Sequence, residues 1–230
     1  MGKMTLSQMV AQLAGGMGTS IQIFVVTLVF SLPLGLIVAF GRMTKNGFLR
    51  NLVKVYISIM RGTPLMLQLM VVYFGPYYLF GIRVGSGYRL WATFIGFVIN
   101  YAAYFAEIYR SGIQSMPQGQ YEAAYILGYS RFQTFFKIIL PQVIKRILPS
   151  ITNEVITLVK DTSLAFTLSV VEMFSVAKAL ASSQTSMIPF VAAGLFYYIF
   201  NLIVACTMEW MEKSWSITVR NRRMWEMKLL

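Results

Sequence analysis

Glu154 and Asp161 stand in a stretch otherwise apolar enough to enter a bilayer. An ionisable group near the bilayer centre costs at least about 2.5–3.5 kcal/mol on insertion scales, so it faces inward, is paired, or serves a function. A spacing of seven residues returns to nearly the same helix face and separates the two groups by about 10 Å. Ser150 and Thr157 fall on that stripe, giving a polar acidic wall. Asn100, Tyr104 and Glu107, spaced four and three apart with Tyr101 adjacent, form a second polar stripe. A third group, Arg61, Thr63 and Gln68, surrounds Gly62 and Pro64, where proline removes a backbone donor and opens the helix. The three groups are expected to line one wet cavity. In an ion-gradient carrier, Glu154 or Asp161 would be the proton or sodium site.

The surrounding chain is built for a membrane. Of its 230 residues 57% are hydrophobic and 12% charged, and the mean hydropathy is +0.64, far from the balance of a soluble domain. The sequence predicts an all-α polytopic protein with five spans of about 20 helical residues: Thr19 to Gly41, Tyr56 to Phe80, Leu90 to Tyr109, Ser150 to Val171 and Ile188 to Trp210. The fourth is interrupted by Asn153, Glu154, Lys160 and Asp161. Residues 5–18 read as an amphipathic helix on the outer surface, with Leu6, Met9, Val10 and Leu13 on one side and Gly15, Gly16 and Gly18 as a break before the first span. The expected organisation is an external helix over residues 1–18, a five-helix unit over 19–215 and a basic tail over 216–230. Gly81 to Gly87 reads as a short outer loop, Val176 to Met187 as a longer, partly helical one.

The net charge of +12 would suggest nucleic acid in a soluble protein. Here the basic residues gather between apolar runs, where they meet cytosol and anionic headgroups, and nucleic-acid binding is set aside. Arg42, Lys45, Arg50 and Lys54 follow the first span; Arg110, Arg131, Lys137, Lys145 and Arg146 flank the insert after the third; Lys213, Arg220, Arg222, Arg223 and Lys228 end the chain. The opposite side carries only Lys3, Arg83, Arg89 and Lys178. This bias predicts an amino terminus outside, a carboxyl terminus in the cytosol and a cytosolic insert. The chain has no histidine and one cysteine, Cys206, inside an apolar run, so no His- or Cys-based metal or nucleophile site assembles within it. It has no Gly-x-x-x-x-Gly-Lys phosphate loop, which leaves ATP chemistry to another polypeptide. A cleaved signal peptide is not expected.

The insert, Glu122 to Pro141, reads EAAYILGYSRFQTFFKIILP. Gln118 to Ser130 spaces Tyr121, Ala124 and Tyr125 as a short helix, Gly128 supplies a flexible point, and Phe132, Phe135, Phe136, Ile139 and Leu140 resume a helical apolar face. Glu122, Ala123, Ala124, Gly128, Ile138, Leu140 and Pro141 occupy the positions of a known pattern. They resemble the EAA loop of permease subunits in ATP-binding-cassette importers. Arg-Gly-Thr-Pro-Leu at 61–65, the run from Asn100 to Arg110, and Lys-Asp-Thr-Ser-Leu at 160–164 are similar to the polar and basic amino acid branch of these permeases, and extend the resemblance over roughly Thr19 to Trp215.

That resemblance implies a type I importer permease fold. Glu122, Ala123, Ala124 and Gly128 would belong to a coupling helix docking on a cytoplasmic ATPase. It implies two ATP-binding subunits carrying ATP and Mg, with no cofactor in this chain, a second permease subunit as an identical or related partner, an external amino-acid-binding protein, and a bacterial inner membrane location. With an amino acid as cargo, two carboxylates about 10 Å apart suit a basic side chain or an α-ammonium plus a distal cation. Glu154, Asp161 and Thr157 would then contact cargo, with donors for its carboxylate from Asn100, Tyr101, Arg61 or open backbone amides. Neutral polar cargo such as glutamine, and ion-coupled secondary transport, remain the alternatives at this stage.

Overall fold

The computed structural model describes residues 4–85 and 87–228, with side chains as far as Trp215. Lys3 and the basic side chains of the tail after Trp215 lie outside the described residues. Every regular element among the described residues is helical.

Helix α1 spans Leu6–Met43 and starts at a capping box in which the Thr5 hydroxyl and the Gln8 side chain each bind the other residue's backbone N–H. The break expected at Gly15, Gly16 and Gly18 does not occur, and α1 runs unbroken through all three. A glycine costs a helix only about 1 kcal/mol, less than the unpaired amides that a break would leave in apolar surroundings. Met9, Leu13 and Met17 are buried against Met173, Ala177 and Leu180, whereas Leu6 and Val10 are exposed.

The expected second span is two helices. α2 (Gly47–Gly62) and α3 (Leu65–Phe80) meet at an angle of 113° around Thr63 and Pro64. Proline disfavours the helical conformation in the residue before it and cannot donate to the preceding turn, so the chain turns there. α4 (Tyr88–Gln114) is the central helix, packed on α1, α2, α3 and later elements. Its seam with α1 is close: a Cβ on Gly35 would lie 2.8 Å from the Phe105 Cβ and 3.1 Å from the Ala102 carbonyl oxygen.

The insert comprises α5 (Gln118–Ile126) and the short α6 (Arg131–Gln133), which passes through a π-wound stretch, Thr134–Ile139, into α7 (Leu140–Asp161). Pro141 contributes no N–H to the first turn of α7, and the wider winding immediately precedes it. The fourth expected span continues from α7 as a 3-10 segment, Thr162–Leu168, then bends by 61° into α8 (Met173–Gln184). α9 (Ile188–Lys228) closes the bundle.

Among the described residues three helical stretches, in α1, α4 and α9, are long and apolar enough to cross a membrane, or up to five if each bent pair counts as one. The central core joins Ile23 and Phe24 of α1, Leu69 of α3, Phe97, Tyr101 and Phe105 of α4, and Val155, Leu158 and Val159 of α7. Gly35→Ala should overpack the α1–α4 seam at a cost of about 1–3 kcal/mol, seen as a lower thermal midpoint of the purified protein. Gly15→Ala, where no atom lies within 4 Å of the added Cβ, should leave that midpoint unchanged or slightly raised.

Candidate functional site

The 113° turn between α2 and α3 must satisfy the carbonyls it frees. Gln68, on the first turn of α3, reaches back across it: its Nε2 donates to the carbonyl oxygens of Met60 (2.9 Å) and Thr63 (3.0 Å) and to the Thr63 hydroxyl (2.8 Å). Asn100 completes the clasp from α4, its Nδ2 donating to the same Met60 carbonyl (3.1 Å) and to Gln68 Oε1 (2.9 Å). Asn100 is only 4% exposed. Both of its amide protons are taken up at the turn.

Beside this turn lies a cavity of about 280 Å³, near the lower end of small-molecule sites, lined by Thr63, Pro64, Leu65, Asn100, Tyr101, Tyr104, Glu154, Thr157, Asp161 and Leu164. Five of the six expected cargo residues therefore converge. The helical spacing of α7 brings Glu154, Thr157 and Asp161 to one face, the 3-10 segment adds Leu164, and α4 supplies the opposing aromatic wall.

The donors around the cavity are largely occupied. Tyr101 donates to Asp161 Oδ2 at 2.7 Å, Thr157 to the Asn153 carbonyl at 2.9 Å, and Thr63 to the Ile59 carbonyl at 2.8 Å. Tyr104 keeps a hydroxyl without a hydrogen bond among the described residues. At the start of α3, Pro64 gives no side-chain cap, so the first-turn amides of Leu65 and Met66 have no intrahelical acceptor. On the acceptor side, neither Glu154 nor Asp161 has a Lys or Arg nitrogen within 4 Å; the ion pairs among the described residues are Arg110–Glu107 and Lys213–Glu209. The site thus offers two carboxylates with acceptor capacity and few donors.

Arg61 does not line this cavity. It belongs to an adjacent one of about 460 Å³, with Arg42, Lys54, Ile57, Ser58, Gly62, Tyr104 and Glu107. Tyr104 lines both, and the Arg61 guanidinium carbon sits over its ring, 5.2 Å from the centroid, a cation–π arrangement. Glu107 is already bound to Arg110, so the second chamber is basic. The acidic chamber and an open basic cleft both border the Tyr104 ring.

The insert is positioned separately. α5 buries one side chain, Ala124 at 1% exposure, and leaves Glu122 and Ala123 exposed. Tyr125 and Ile126, 81% and 83% exposed, form its tip with Leu127. Gly128 stops the helix at φ +77°: its N–H reaches the Tyr125 carbonyl and the Tyr129 N–H reaches the Ala124 carbonyl, each at 3.0 Å, a Schellman closure that favours glycine. Gln142 to Gln120, and Arg146 to the Ser115 carbonyl and hydroxyl, tie the insert's approach to α7.

Sequence reasoning passed over Glu172, which is fully buried and caps α8. The available signal was a carboxylate just ahead of a helical run with Ser175 at the third helical position.

Residues 31–217 match the family described as binding-protein-dependent transport system inner membrane component. The chain is 37% identical over 195 residues to the octopine transport system permease protein OccM of Rhizobium radiobacter, covering 79% of this chain and 80% of that protein. It is 34% identical over 203 residues to the L-cystine transport system permease protein TcyB of Bacillus subtilis, with coverage of 87% and 85%. Among solved structures, an amino acid ABC transporter crystallised with histidines superposes with a TM-score of 0.83 at 26% identity, over 93% of this chain and all but 1% of that one. An inward-facing structure of the MetNI methionine transporter, at 16% identity and a TM-score of 0.69, shares the fold over 92% of this chain and 99% of that one.

Asn100→Ala should cost about 1–3 kcal/mol by leaving the Met60 carbonyl and Gln68 under-satisfied at the turn. The check is a lower thermal midpoint of the purified protein.

Proposed function

This chain belongs to the family of inner membrane components of binding-protein-dependent transport systems, an amino acid ABC permease, and from the chemistry of its acidic chamber we propose that it imports amino acids with cationic side chains. ATP hydrolysis belongs to separate subunits in this family, so the chain is not itself an enzyme. The observation that carries the cargo reading is the balance of the 280 Å³ chamber. Glu154 and Asp161 face it without an ion pair; Tyr101 gives its one proton to Asp161, and Thr157, Thr63 and Asn100 donate to groups outside the carboxylate pair. A cargo bringing two cations supplies what these carboxylates lack, and charge-assisted hydrogen bonds are the stronger kind.

In this reading the α-ammonium and the distal cation of arginine, lysine or histidine lie along the Glu154–Asp161 stripe, with Thr157 between them. The cargo carboxylate turns toward the open amides at the start of α3 and the Tyr104 hydroxyl, since unwound helix ends of this polarity suit anionic groups. Arg61 serves as a barrier beyond Tyr104 and does not contact cargo. Its cation, with Arg42 and Lys54, disfavours a basic amino acid entering from the other chamber.

The exposed tip of α5 supports a docking role. Tyr125, Ile126 and Leu127 are apolar and unburied, and the Gly128 closure fixes the helix end that presents them. We place this tip, with Glu122 and Ala123 exposed and Ala124 packed beneath them, in a groove of one cytoplasmic ATP-binding subunit, so that two permease chains engage two such subunits. The complex then contains two permease chains, identical copies in the simplest case, and receives cargo from a periplasmic amino-acid-binding protein. The basic-residue bias supports an outside amino terminus, a cytosolic carboxyl terminus and insertion in the bacterial inner membrane. Alternating access follows when ATPase closure moves α5 and, through α7, the acidic wall. An ion-coupled carrier finds no support in the family match.

Glu154→Gln should lower the affinity for arginine by about 10- to 100-fold, as expected for losing a charge-assisted hydrogen bond worth about 1.5–3 kcal/mol, and should change glutamine uptake much less. Equal losses in competition uptake into proteoliposomes would remove Glu154 from cargo choice. Gly128→Val, a β-branched residue at positive φ, should preserve insertion and abolish transport-coupled ATP hydrolysis by the assembled complex.

A further inference from the structure

Glu172 lies where the fourth crossing bends into α8, and it is fully buried. A buried carboxylate costs several kcal/mol unless hydrogen bonds satisfy it, and no cation lies within 4 Å of it among the described residues. Its Oε2 accepts from the Phe174 N–H at 2.7 Å, the Tyr197 hydroxyl of α9 at 3.1 Å and the Ser20 hydroxyl of α1 at 3.5 Å. Its Oε1 accepts from the Ser175 N–H at 2.7 Å and lies 3.0 Å from the Ser175 hydroxyl, whose single proton it shares with the nearer Val170 carbonyl at 2.8 Å. The two remaining open amides at the start of α8 are also taken, Met173 N–H by the Ser20 hydroxyl at 3.3 Å and Glu172 N–H by the Val170 carbonyl at 3.0 Å. A serine or aspartate would cap α8 alone. The longer side chain also reaches two other helices.

The backbone here is seated as closely as the side chain. A Cβ on Gly16 of α1 would fall 2.9 Å from the Cα of Met173, so α1 lies directly against the bend. The chain between this anchor and the acidic chamber is short: Asp161 ends α7, the 3-10 segment Thr162–Leu168 follows, and Ser169 in a left-handed conformation (φ 55°) leads to Glu172.

We propose that Glu172 is a positioning residue for transport, holding the far end of the Asp161-bearing segment against α1 and α9 so that α7 moves about a fixed point. When the other end of α7 is displaced through the insert, a fixed pivot converts the displacement into rotation of the Glu154–Asp161 wall. A loose pivot lets the wall slide without changing which side it faces. The inference goes beyond the cargo reading and does not depend on it, requiring only the permease role.

The test uses the full complex with its ATPase subunits and binding protein in proteoliposomes, fed a labelled mixture of the twenty amino acids so that cargo identity is not assumed. Glu172→Gln leaves one α8 amide unmatched. It should lower the maximal uptake rate at least tenfold, keep the half-saturating concentration within twofold, and uncouple ATP hydrolysis from the binding protein. Tyr197→Phe removes the α9 hydroxyl, which also interacts with Ser20 and Thr162, and leaves the cap of α8 intact. It should lower the maximal rate severalfold with an unchanged thermal midpoint. The proposal is overturned if Tyr197→Phe keeps wild-type turnover, or if Glu172→Gln merely lowers the yield and midpoint of a complex whose surviving molecules transport and couple normally. A failure of the basic-cargo reading would show instead as uptake of neutral over basic amino acids in wild type.

Discussion

A backbone amide or carbonyl without a partner is costly in hydrocarbon, and among the described residues two apolar helix pairs are interrupted by sharp bends. Each interruption is closed by side chains from elsewhere in the bundle. At the turn between α2 and α3, Gln68 and Asn100 take up the Met60 and Thr63 carbonyls. At the bend before α8, Glu172 and Ser20 take up three of the first four amides. The acidic chamber opens beside the first closure, and its α7 wall leads to the second. Irregular backbone is tolerated at membrane depth where it is buried in protein or lines a cavity, and here it does both.

The same constraint explains why so few donors face the chamber. Polar side chains at membrane depth first satisfy the protein: Asn100 serves the turn, Thr157 and Thr63 bind carbonyls of their own helices, and Tyr101 binds Asp161. What remains toward the chamber is negative charge, a free phenol and a helix start. The charge changes sign across Tyr104, where Arg61 covers the ring. The Tyr104 ring thus has a cation over it and borders the cavity that holds the two carboxylates.

Much of this was legible in the sequence, because seven-residue spacing on a helix is a geometric statement. Glu154, Thr157 and Asp161 share a face, and Asn100, Tyr101 and Tyr104 oppose them, as their spacings required. The short helix of the insert was legible around Glu122, including the glycine beyond its end. Three features were not. The first glycine cluster left α1 unbroken, because tertiary burial and the lack of water outweigh a weak local preference. The run from Tyr56 to Phe80 reads as one apolar segment, yet Pro64 turns it by 113°, since hydropathy carries no direction. Glu172 sits among Val170, Val171, Met173 and Phe174 with no charged partner nearby in sequence, and its donors on α1 and α9 lie more than twenty positions away.

The charge complement of the acidic chamber is tested most directly by measuring competition among the twenty amino acids for uptake by the reconstituted wild-type complex with its binding protein. The account predicts that arginine, lysine or histidine is preferred over glutamine and cystine by at least about tenfold, a difference of about 1.4 kcal/mol. Uptake that prefers a neutral or acidic amino acid, or does not discriminate by charge, would contradict it.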